Sequence, residues 1–504
     1  MSNPLYDTLF GHHTGKPTQF IHLPDGKMIT HDDFLHITAR YANALTKLGM
    51  KAGDRVAVQI EKSPEAIAIY AACAQAGLVF LPLNTGYTPE EVGYFIGNSG
   101  ARIFICDSAK AVSLKPNAQT SGAMLVTLDA DGTGSFSDLA KTLPDSFATV
   151  DRTRDDLAAL LYTSGTTGRS KGAMLTQNNL ISNAQTLAKL WQFTADDILL
   201  HALPIFHTHG LFVAINTTLI AGGAMILLPK FNLDQIIAKL PKATTMMGVP
   251  TFYTRLLADP RFTGDLTRHM RLFTSGSAPL LAETHIQFEH RTGHRILERY
   301  GMTETNMTTS NPYDGERRAG TVGPALPGVE VKITDTKTGA TLPDGEVGQL
   351  EVRGPNVFKG YWQMPEKTRE ELRQDGFFIT GDLGLIDQYG YIQIVGRDKD
   401  LIISGGYNIY PKEVELVLDE QAGVLESAVI GLPHPDFGET ALAVLVPKKD
   451  ANPDIEAISE NIAKSLARFK HPRKLVLLGE LPRNTMGKVQ KNVLRDQFKD
   501  IFAE

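Results

Sequence analysis

Cysteine is scarce in this sequence, and its scarcity excludes two kinds of architecture. Cys73 and Cys106 are the only cysteines among 504 residues, too few for a disulfide framework or a cysteine-based zinc site. The opening stretch MSNPLYDTLFGHHTGK also lacks the basic and then apolar pattern of a secretory signal and the arginine-rich character of a transit peptide. We therefore expect a cytoplasmic protein.

Long apolar runs and an excess of positive charge are missing as well. The one run that resembles a membrane span, Ala66 to Leu83, is divided by Gln75, Gly77 and Pro82, which favours a buried helix and a following strand. The formal net charge of -6 argues against attraction to nucleic acid or to an anionic membrane surface. We expect neither a nucleic acid nor a membrane as a partner.

The sequence does contain a regular alternation of strand-like and helix-like segments. A strand at Val56–Gln59, a helix at Ser63–Ala76 and a strand at Val79–Leu83 predict parallel sheets covered by helices, an α/β fold. After about Gly320, strands punctuated by glycine and proline, such as Val329–Ile333, predict a small antiparallel or β-barrel-like section.

The length of the chain implies more than one domain. The charged stretch Gly396-Arg-Asp-Lys-Asp400 separates the glycine-punctuated strands from a compact C-terminal pattern of strands and helices. We predict a large N-terminal domain of αβα-layered subdomains plus the barrel-like section at 1–396, a hinge at 397–400, and a small α+β domain at 401–504.

The stretch YTSGTTGRSKGAML at 162–175 is rich in glycine and hydroxyl residues. Glycine lets backbone N–H groups approach a ligand, and Lys171 adds a positive charge, a combination that suits phosphate oxygens. The pattern GxxxxGK[ST] does not fit, because Ser170 stands where its second glycine would be and Gly172 follows the lysine. The flanks predict two short strands and then a helix from about Thr176, so the stretch is a phosphate-binding loop between strands or, alternatively, a flexible surface turn.

Three further constellations suit a nucleotide. Glu298-Arg-Tyr-Gly-Met-Thr-Glu304 offers a ring for a base and a carboxylate for magnesium on a polyphosphate. Asp382 and Arg397 could bind a ribose diol, and Lys488 follows a glycine near the C-terminus. Taken alone, the first segment is better interpreted as a helix-end turn, Asp382 as a turn residue and Lys488 as a solvated surface charge.

In this order and spacing, the segments resemble the adenylate-forming superfamily of acyl-CoA synthetases, adenylation domains and luciferases, over nearly the whole chain. The matching motifs are Thr163-Ser-Gly-Thr-Thr-Gly-Arg-Ser-Lys-Gly172, Pro204-Ile-Phe-His-Thr-His-Gly210, Tyr300-Gly-Met-Thr-Glu304, Thr380-Gly-Asp382, Gly396-Arg-Asp-Lys-Asp400 and Pro482-Arg-Asn-Thr-Met-Gly-Lys488. Ser170 departs from the proline of many members without removing a hydrogen-bond donor.

The resemblance implies a first half-reaction in which a substrate carboxylate attacks the α-phosphate of ATP and pyrophosphate leaves, with Mg²⁺ as cofactor. Lys488, Glu304 and His207 would be catalytic, and Glu304 and Thr163 would bind the metal. Residues 163–171 would hold the β- and γ-phosphates, Tyr300 the adenine, and Asp382 with Arg397 the ribose. The residues implied to bind ATP or AMP are Thr163, Ser164, Gly165, Thr166, Thr167, Gly168, Lys171, Ser277, Glu298, Arg299, Tyr300, Gly301, Thr303, Asp382 and Arg397.

The resemblance also implies a second half-reaction, in which the thiol of CoA attacks the acyl-adenylate. Rotation of a mobile C-terminal domain about a hinge at Lys399 would remove Lys488 from the active site. The same rotation would bring in Ser404, Gly405 and Gly406, small residues that leave room for the pantetheine arm. An amine that becomes exposed in this way suits regulation by a lysine acetyltransferase and deacetylase acting on Lys488.

The acid is harder to predict. Ser275 and Met302 belong to segments that wall the acyl pocket of the superfamily, and Arg255 lies one turn into a helix that starts near Thr251. A guanidinium buried there would bind a second substrate carboxylate, whereas an exposed one would pair with Asp259. Spacing leaves both open. The whole sequence, including Thr-Gly-Arg-Ser-Lys-Gly in the loop, is most similar to malonate-activating members, which implies malonate, with methylmalonate as a further candidate.

Two other functions use the same motifs. A medium-chain or aryl acyl-CoA synthetase would differ only in its acyl pocket. A carrier-loading or non-catalytic adenylation module would bind nucleotide without passing an acyl group to free CoA, but no carrier-like domain is expected after residue 504 and Lys488 is present.

Overall fold

The computed structural model describes residues 2–163, 170–404, 407–434, 437–485 and 487–502. The α-helices are α1 (Pro4–Leu9), α2 (His31–Lys47), α3 (Pro64–Gln75), α4 (Pro89–Ser99), α5 (Ser108–Thr120), α6 (Ser135–Lys141), α7 (Gln177–Leu190), α8 (Asn216–Ala221), α9 (Leu233–Lys239), α10 (Pro250–Leu257), α11 (Gly264–Thr267), α12 (Ala282–Thr292), α13 (Pro365–Glu371), α14 (Pro411–Asp419), α15 (Ile455–Ser465) and α16 (Lys491–Phe498). Shorter 3-10 turns lie at Gly11–His13, Leu240–Lys242, Asp398–Asp400 and Arg468–Lys470, and a π-helix lies at His209–Ile215.

The strands are β1 (Gln19–His22), β2 (Met28–Thr30), β3 (Arg55–Gln59), β4 (Val79–Pro82), β5 (Ile103–Cys106), β6 (Met124–Thr127), β7 (Leu157–Thr163), β8 (Lys171–Thr176), β9 (Ile198–His201), β10 (Ala224–Leu227), β11 (Thr245–Gly248), β12 (Leu272–Ser275), β13 (Leu297–Met302), β14 (Asn306–Ser310), β15 (Glu330–Thr334), β16 (Gly348–Arg353), β17 (Phe378–Ile386), β18 (Ile392–Arg397), β19 (Ile402–Ser404), β20 (Tyr407–Ile409), β21 (Val424–His434), β22 (Gly438–Pro447) and β23 (Lys474–Leu477).

One compact unit comprises the chain up to Glu330 together with Val352–Phe378, and it contains two sheets. Their strand orders are β6-β5-β3-β4-β7-β8 and β14-β13-β12-β11-β9-β10-β1-β2. β3 runs parallel to both β4 and β5, and these strands are buried almost throughout, as expected of strands covered on both faces. The predicted α/β alternation is confirmed.

The Ala66–Leu83 segment forms most of α3 and the whole of β4, as the sequence predicts. α3 begins where predicted because the side chain of Ser63 accepts a hydrogen bond from the backbone of Ala66 and Pro64 occupies the first turn. Within the ranges given above, no helix is both long enough and apolar enough to span a membrane.

The second compact unit comprises Val331–Glu351 and the chain from Ile379 onward. It contains a sheet of order β15-β16-β17-β18 and a sheet of order β20-β19-β22-β21, with β23 beside β22. The small section with antiparallel strands was predicted correctly. This division assigns that section to the C-terminal unit, whereas the sequence assigned it to a domain ending at residue 396, so the boundary and hinge at 397–400 remain a prediction.

In the larger sheet, the carboxyl ends of the parallel strands β11 and β12 lie beside the beginning of β13. Gly248 of β11 lies beside Ser275 of β12, which lies beside Glu298 of β13. Ligands of open α/β sheets bind outside the carboxyl ends of the strands. The fold therefore places the predicted residues Ser275, Glu298 and Arg299 along one edge.

Glycine is required where β13 turns back into β14. The ladder between these antiparallel strands shifts register between Tyr300 and Gly301. A Cβ atom at Gly301 would overlap the carbonyl oxygen of Asn306, so a larger residue would separate the two strands. Glu304 lies in the turn between them and depends on this close approach for its position.

We expect Gly301→Ala to lower the free energy of unfolding by roughly 1 to 3 kcal/mol, because the added methyl group forces the backbone of β13 away from β14. Denaturant titration of the purified variant measures this loss. Gly479→Ala is the matched control, since nothing lies within 4 Å of the Cβ position there. Equal stability of both variants would show that the turn relaxes at no cost.

Candidate active site

A buried arginine lies within β13, next to the residue that pairs with the last residue of β12. Arg299 is 2% exposed, and a Cβ atom at Gly276 would overlap its guanidinium group. Nε and Nη2 make no hydrogen bond to any residue that the structure describes. Burial lowers the pKa of Arg299 to about 9, although the nearby Tyr253 and Glu298 raise it. A positive charge is therefore enclosed here without a hydrogen-bonded carboxylate at two of its nitrogen atoms.

Two histidines of the predicted segment 204–210 lie close to this arginine. His209 is fully buried, and its Nδ1 lies 3.1 Å from Oγ of Ser277. Burial and then the charge of Arg299 hold the pKa of His209 well below its usual value, so the ring is neutral. His207 is half-buried, and its Nδ1 lies 3.4 Å from the backbone nitrogen of His209.

Backbone geometry at these positions is unusual. Ser277 has a φ of 69°, a conformation that costs a non-glycine residue free energy and is concentrated at functional sites. The π-helix begins at His209, and π-turns inside helices are frequent at functional sites. A Cβ at Gly210 would overlap the carbonyl of Pro204, so the chain must fold back tightly here.

The sequence analysis missed the lysine that supports this segment. Lys62 is 8% exposed, and its Nζ donates to the carbonyl oxygens of His201 and Leu203, at 2.8 Å each. It also lies 3.2 Å from Nδ1 of His201, whose Nε2 lies 2.9 Å from the carbonyl oxygen of Gly210. Burial lowers the pKa of Lys62 well below its usual value. Spacing alone could not reveal this support, since Lys62 and His201 are 139 residues apart.

Glu304 occupies a buried position suited to one end of a polyphosphate. It is 4% exposed, and its backbone carbonyl accepts a hydrogen bond from Phe358 at 2.8 Å. Oε1 lies 3.0 Å from the hydroxyl of Tyr361. Among the described residues no group of three or more metal-ligating side chains occurs. One buried carboxylate nevertheless fits Mg²⁺, which takes one or two protein carboxylates and obtains its other ligands from water and phosphate.

The ends of the predicted phosphate loop are held by strand pairing. β7 and β8 are antiparallel, with Thr163 opposite Lys171. The predicted residues Ser164, Gly165, Thr166, Thr167 and Gly168 lie outside the described residues, as do Gly405 and Gly406 of the predicted CoA segment. The ammonium of Lys171 is paired with Glu371 at 3.1 Å.

The remaining residues predicted around the adenine and acyl groups lie on or just after β12 and β13. Tyr300 and Met302 are half-buried, with the tyrosine hydroxyl 3.9 Å from the methionine sulfur. Thr303 follows in the turn and is half-buried. Ser275 is buried, and its hydroxyl makes no hydrogen bond within the described part of the chain.

Arg255 is not enclosed in the protein, as a residue that binds a buried carboxylate would be. It is exposed on α10, with its guanidinium carbon 5.6 Å from the centre of the Phe231 ring. Asp259, the alternative partner, is held instead by Arg261, with Nη2 2.6 Å from Oδ2. Of the two alternatives that the helical spacing left open for Arg255, the structure has the exposed one. Its contact with substrate remains a prediction.

Charged residues predicted for ribose binding and catalysis lie together in the second unit. Asp382 and Arg397 face each other across β17 and β18, with Oδ1 2.6 Å from Nε. Asp382 is thus a strand residue and not the turn residue that its motif suggests when taken alone. Lys488 follows a tight turn in which Gly487 has a φ of 76°.

The amine of Lys488 has an unusual electrostatic environment. The residue as a whole is exposed, yet loss of water around the amine and then the charge of Arg397 lower its pKa to about 8. Asp382 and Asp400 act in the opposite direction, and Lys399 adds to the lowering. The predicted hinge, ribose-binding and catalytic residues of this unit therefore interact electrostatically. Ser404 ends β19 and is half-buried.

Comparison with known proteins identifies the class. The model of the AMP-binding enzyme family matches residues 11–362, and that of the AMP-binding enzyme C-terminal domain matches residues 413–488. The chain belongs to the AMP-binding enzyme family, which confirms the predicted relationship and fold class.

Individual relatives cover most of the chain. The malonate–CoA ligase of Arabidopsis thaliana is 36% identical over an alignment of 485 positions, which covers 90% of this chain and 79% of that protein. The feruloyl-CoA synthase of an Amycolatopsis species is 35% identical and covers 94% of each chain. The crystal structure of ATP-bound MatB from Rhodopseudomonas palustris is 56% identical, covers 100% of both chains and superposes with a TM-score of 0.97.

We expect the amine of Lys488 to titrate with a midpoint near pH 8, as its lowered pKa requires. Competitive labelling with acetic anhydride at graded pH, followed by mass spectrometry, measures this midpoint. Arg397→Gln removes a repelling cation and should move the midpoint upward. A midpoint that does not move in this variant would mean that Arg397 does not act on the amine.

Proposed function

We propose that this enzyme is an AMP-forming malonate–CoA ligase. It activates malonate with ATP, releases pyrophosphate, and passes the malonyl group from the adenylate to the thiol of CoA with release of AMP. The observation that carries this proposal is the buried guanidinium of Arg299, whose Nε and Nη2 make no hydrogen bond to a described residue. A dicarboxylate supplies the missing anion, and the similarity to a malonate–CoA ligase supports the same substrate.

Arg299 suits the distal carboxylate better than Arg255 does. A guanidinium binds a carboxylate through two parallel hydrogen bonds, and these are strongest where water is excluded. Arg299 is buried and Arg255 is exposed. In our proposal Arg299 fixes the distal carboxylate beside Ser275, and methylmalonate, with one additional methyl group, is accepted as a second acid.

A neutral histidine completes this arrangement. A second cation beside Arg299 would raise the cost of the buried charge, and the lowered pKa of His209 avoids it. The neutral ring can hydrogen-bond a substrate oxygen without adding charge. We assign His207, the half-buried neighbour, to orienting the reacting carboxylate.

Positioning and charge neutralisation carry the first half-reaction, because the α-phosphate must be attacked in line while negative charge accumulates. Glu304 and Thr163 would hold Mg²⁺, which neutralises charge on the leaving pyrophosphate when bound. Lys488 donates hydrogen bonds to the substrate carboxylate and the α-phosphate, and Asp382 with Arg397 binds the ribose.

The second half-reaction requires other residues. We assign the pantetheine arm of CoA to the segment that ends β19 at Ser404, and the domain rotation to Lys399, which lies in the exposed 3-10 turn Asp398–Asp400. Lys488 has no task in thioester formation, which leaves its amine open to acetylation in that conformation. We place the enzyme in the cytoplasm, where CoA and ATP are available.

An aryl acid is the competing substrate class, since a feruloyl-CoA synthase is 35% identical to this chain. An aryl group would enter beside the buried cation without neutralising it. Leaving a buried charge unpaired costs roughly 3 to 5 kcal/mol, so the environment of Arg299 favours the dicarboxylate.

A substrate panel tests the proposal directly. Thioester formation with malonate, butyrate, octanoate and a cinnamate is measured with and without CoA, and malonate should give the highest kcat/KM. Arg299→Met should lower kcat/KM for malonate by about 100-fold or more, as expected when a buried ion pair is lost.

Activity of Arg299→Met toward butyrate should persist, because that acid has no second carboxylate. Arg268→Met is the control, since Arg268 is 78% exposed and pairs with Asp265. Arg255→Leu tests the earlier assignment. If Arg255→Leu loses its selectivity for malonate and Arg299→Met does not, the distal carboxylate is bound by Arg255 and not by Arg299.

Acetylation of Lys488 should stop adenylation and spare thioester formation. The modification removes the cation that stabilises charge at the α-phosphate. Lys488→Ala and protein acetylated at Lys488 are assayed for malonate-dependent ATP–pyrophosphate exchange and for the reaction of supplied malonyl-adenylate with CoA. Unimpaired exchange in either form would contradict the assigned role, and an equal loss in both assays would contradict the division between the half-reactions.

A further inference from the structure

Lys171, expected from the sequence to hold ATP phosphates, is already paired with a carboxylate of the protein. Its Nζ lies 3.1 and 3.2 Å from the two oxygens of Glu371 and 4.2 Å from the centre of the Tyr361 ring. The side chain of Lys171 is 9% exposed and that of Glu371 is 22% exposed. A lysine that is enclosed and neutralised in this way attracts a second anion only weakly.

The main chain next to Lys171 forms hydrogen bonds with the segment that carries Tyr361. The nitrogen of Met174 donates to the carbonyl of Gly360 at 3.0 Å, and the nitrogen of Trp362 donates to the carbonyl of Gly172 at 2.7 Å. Residues 359–362 thus lie along β8. The contact of Lys171 with Glu371 adds a second attachment at the first residue of β8, where the predicted phosphate loop ends.

Tyr361 connects this attachment to the predicted metal ligand. Its hydroxyl lies 2.6 Å from Oε2 of Glu371 and 3.0 Å from Oε1 of Glu304. A phenol has one proton, so it can donate to only one of these carboxylates at a time. The side chain of Thr368 accepts from the backbone nitrogen of Tyr361 at 2.9 Å and helps to fix this residue.

We propose that Glu371 is a positioning residue for ATP: it anchors Lys171 at the end of the phosphate loop and, through Tyr361, orients Glu304. Lys171 then acts as an anchor of the loop and not as a direct ligand of the β- and γ-phosphates. One carboxylate thereby sets the separation between the phosphate-binding and metal-binding ends of the site. The proposal rests on nucleotide binding alone, so it stands or falls independently of the acid that the enzyme activates.

Equilibrium binding of nucleotides to the full-length protein, without acid or CoA, tests this role. Glu371→Gln keeps the shape of the side chain and removes its charge. It should raise the Kd of ATP in the presence of Mg²⁺ by about tenfold or more, as the loss of a charge-assisted contact predicts. The Kd of AMP, which lacks the β- and γ-phosphates, should stay within about twofold of the wild-type value.

Glu370→Gln is the matched control. Glu370 precedes Glu371 on α13, is 64% exposed and pairs with Lys367, so ATP binding should be unchanged. Lys171→Met should weaken ATP binding less than Glu371→Gln does, because Glu371 also acts on Glu304 through Tyr361. The double variant should be no weaker than Glu371→Gln alone, because that substitution already breaks the contact with Lys171.

Three results would overturn the proposal. If Glu371→Gln bound ATP as tightly as the wild-type protein or more tightly, Glu371 would merely compete with phosphate for Lys171. An equal loss of AMP binding would reduce Glu371 to a general structural role. Additive losses in the double variant would show that Lys171 binds phosphate independently of Glu371.

Tyr361→Phe separates the two contacts proposed for Glu371, the one with Lys171 and the one that reaches Glu304 through Tyr361. It keeps the aromatic ring over Lys171 and removes the hydroxyl that joins Glu371 to Glu304. We expect a higher Mg²⁺ concentration for half-maximal ATP binding and an unchanged Kd of metal-free ATP. An unchanged Mg²⁺ requirement would refute the orienting role of Tyr361.

Discussion

The enclosed guanidinium of Arg299 is the constraint on which the acyl end of the site depends. Removing an ion from water costs several kcal/mol, which good geometry with a partner must offset. Around Arg299 the protein leaves room at Gly276 and keeps His209 neutral. It supplies no hydrogen-bond acceptor from a described residue at two guanidinium nitrogens. These features are consistent with a position that is completed by an anionic ligand.

Lys171 shows the opposite solution to the same physical problem. Its charge is buried too, but Glu371 neutralises it permanently and the Tyr361 ring covers it. A cation with a partner in the protein stabilises structure, whereas a cation without one stabilises a ligand. In our proposals the chain uses one buried cation to shape the site and another to recognise the substrate, a distinction that residue type alone does not reveal.

Sequence patterns predicted the fold well where interactions between neighbouring residues determine it. The strands on either side of the phosphate loop and the helices capped by Ser63 and Thr176 follow from periodicity and capping, which depend on neighbours in the sequence. The order and spacing of the motifs predicted the family correctly, because both are read directly from the sequence.

The sequence could not reveal contacts between distant residues or the direction of individual side chains. Asp382 meets Arg397 through strand register, and Lys171 meets Glu371 across 200 residues, so no spacing rule could place either contact. The exposure of Arg255 follows from the face of α10 that packs on the core, which the position within a helical turn does not determine. The assignment of the small antiparallel section to the C-terminal unit likewise depends on contacts between distant residues, which the composition of the segment does not determine.

In our proposal the electrostatic environment of Lys488 serves both catalysis and regulation. Loss of water around the amine, and then repulsion by Arg397 and Lys399, lower its pKa to about 8, while Asp382 and Asp400 partly offset them. An amine with that pKa is still largely protonated near neutral pH, so it can donate to an oxyanion, but it also exposes a larger neutral fraction than an ordinary lysine. The neutral amine is the form that attacks an acyl donor. In the function that we propose, the environment that lowers the pKa of Lys488 would therefore also favour its acylation.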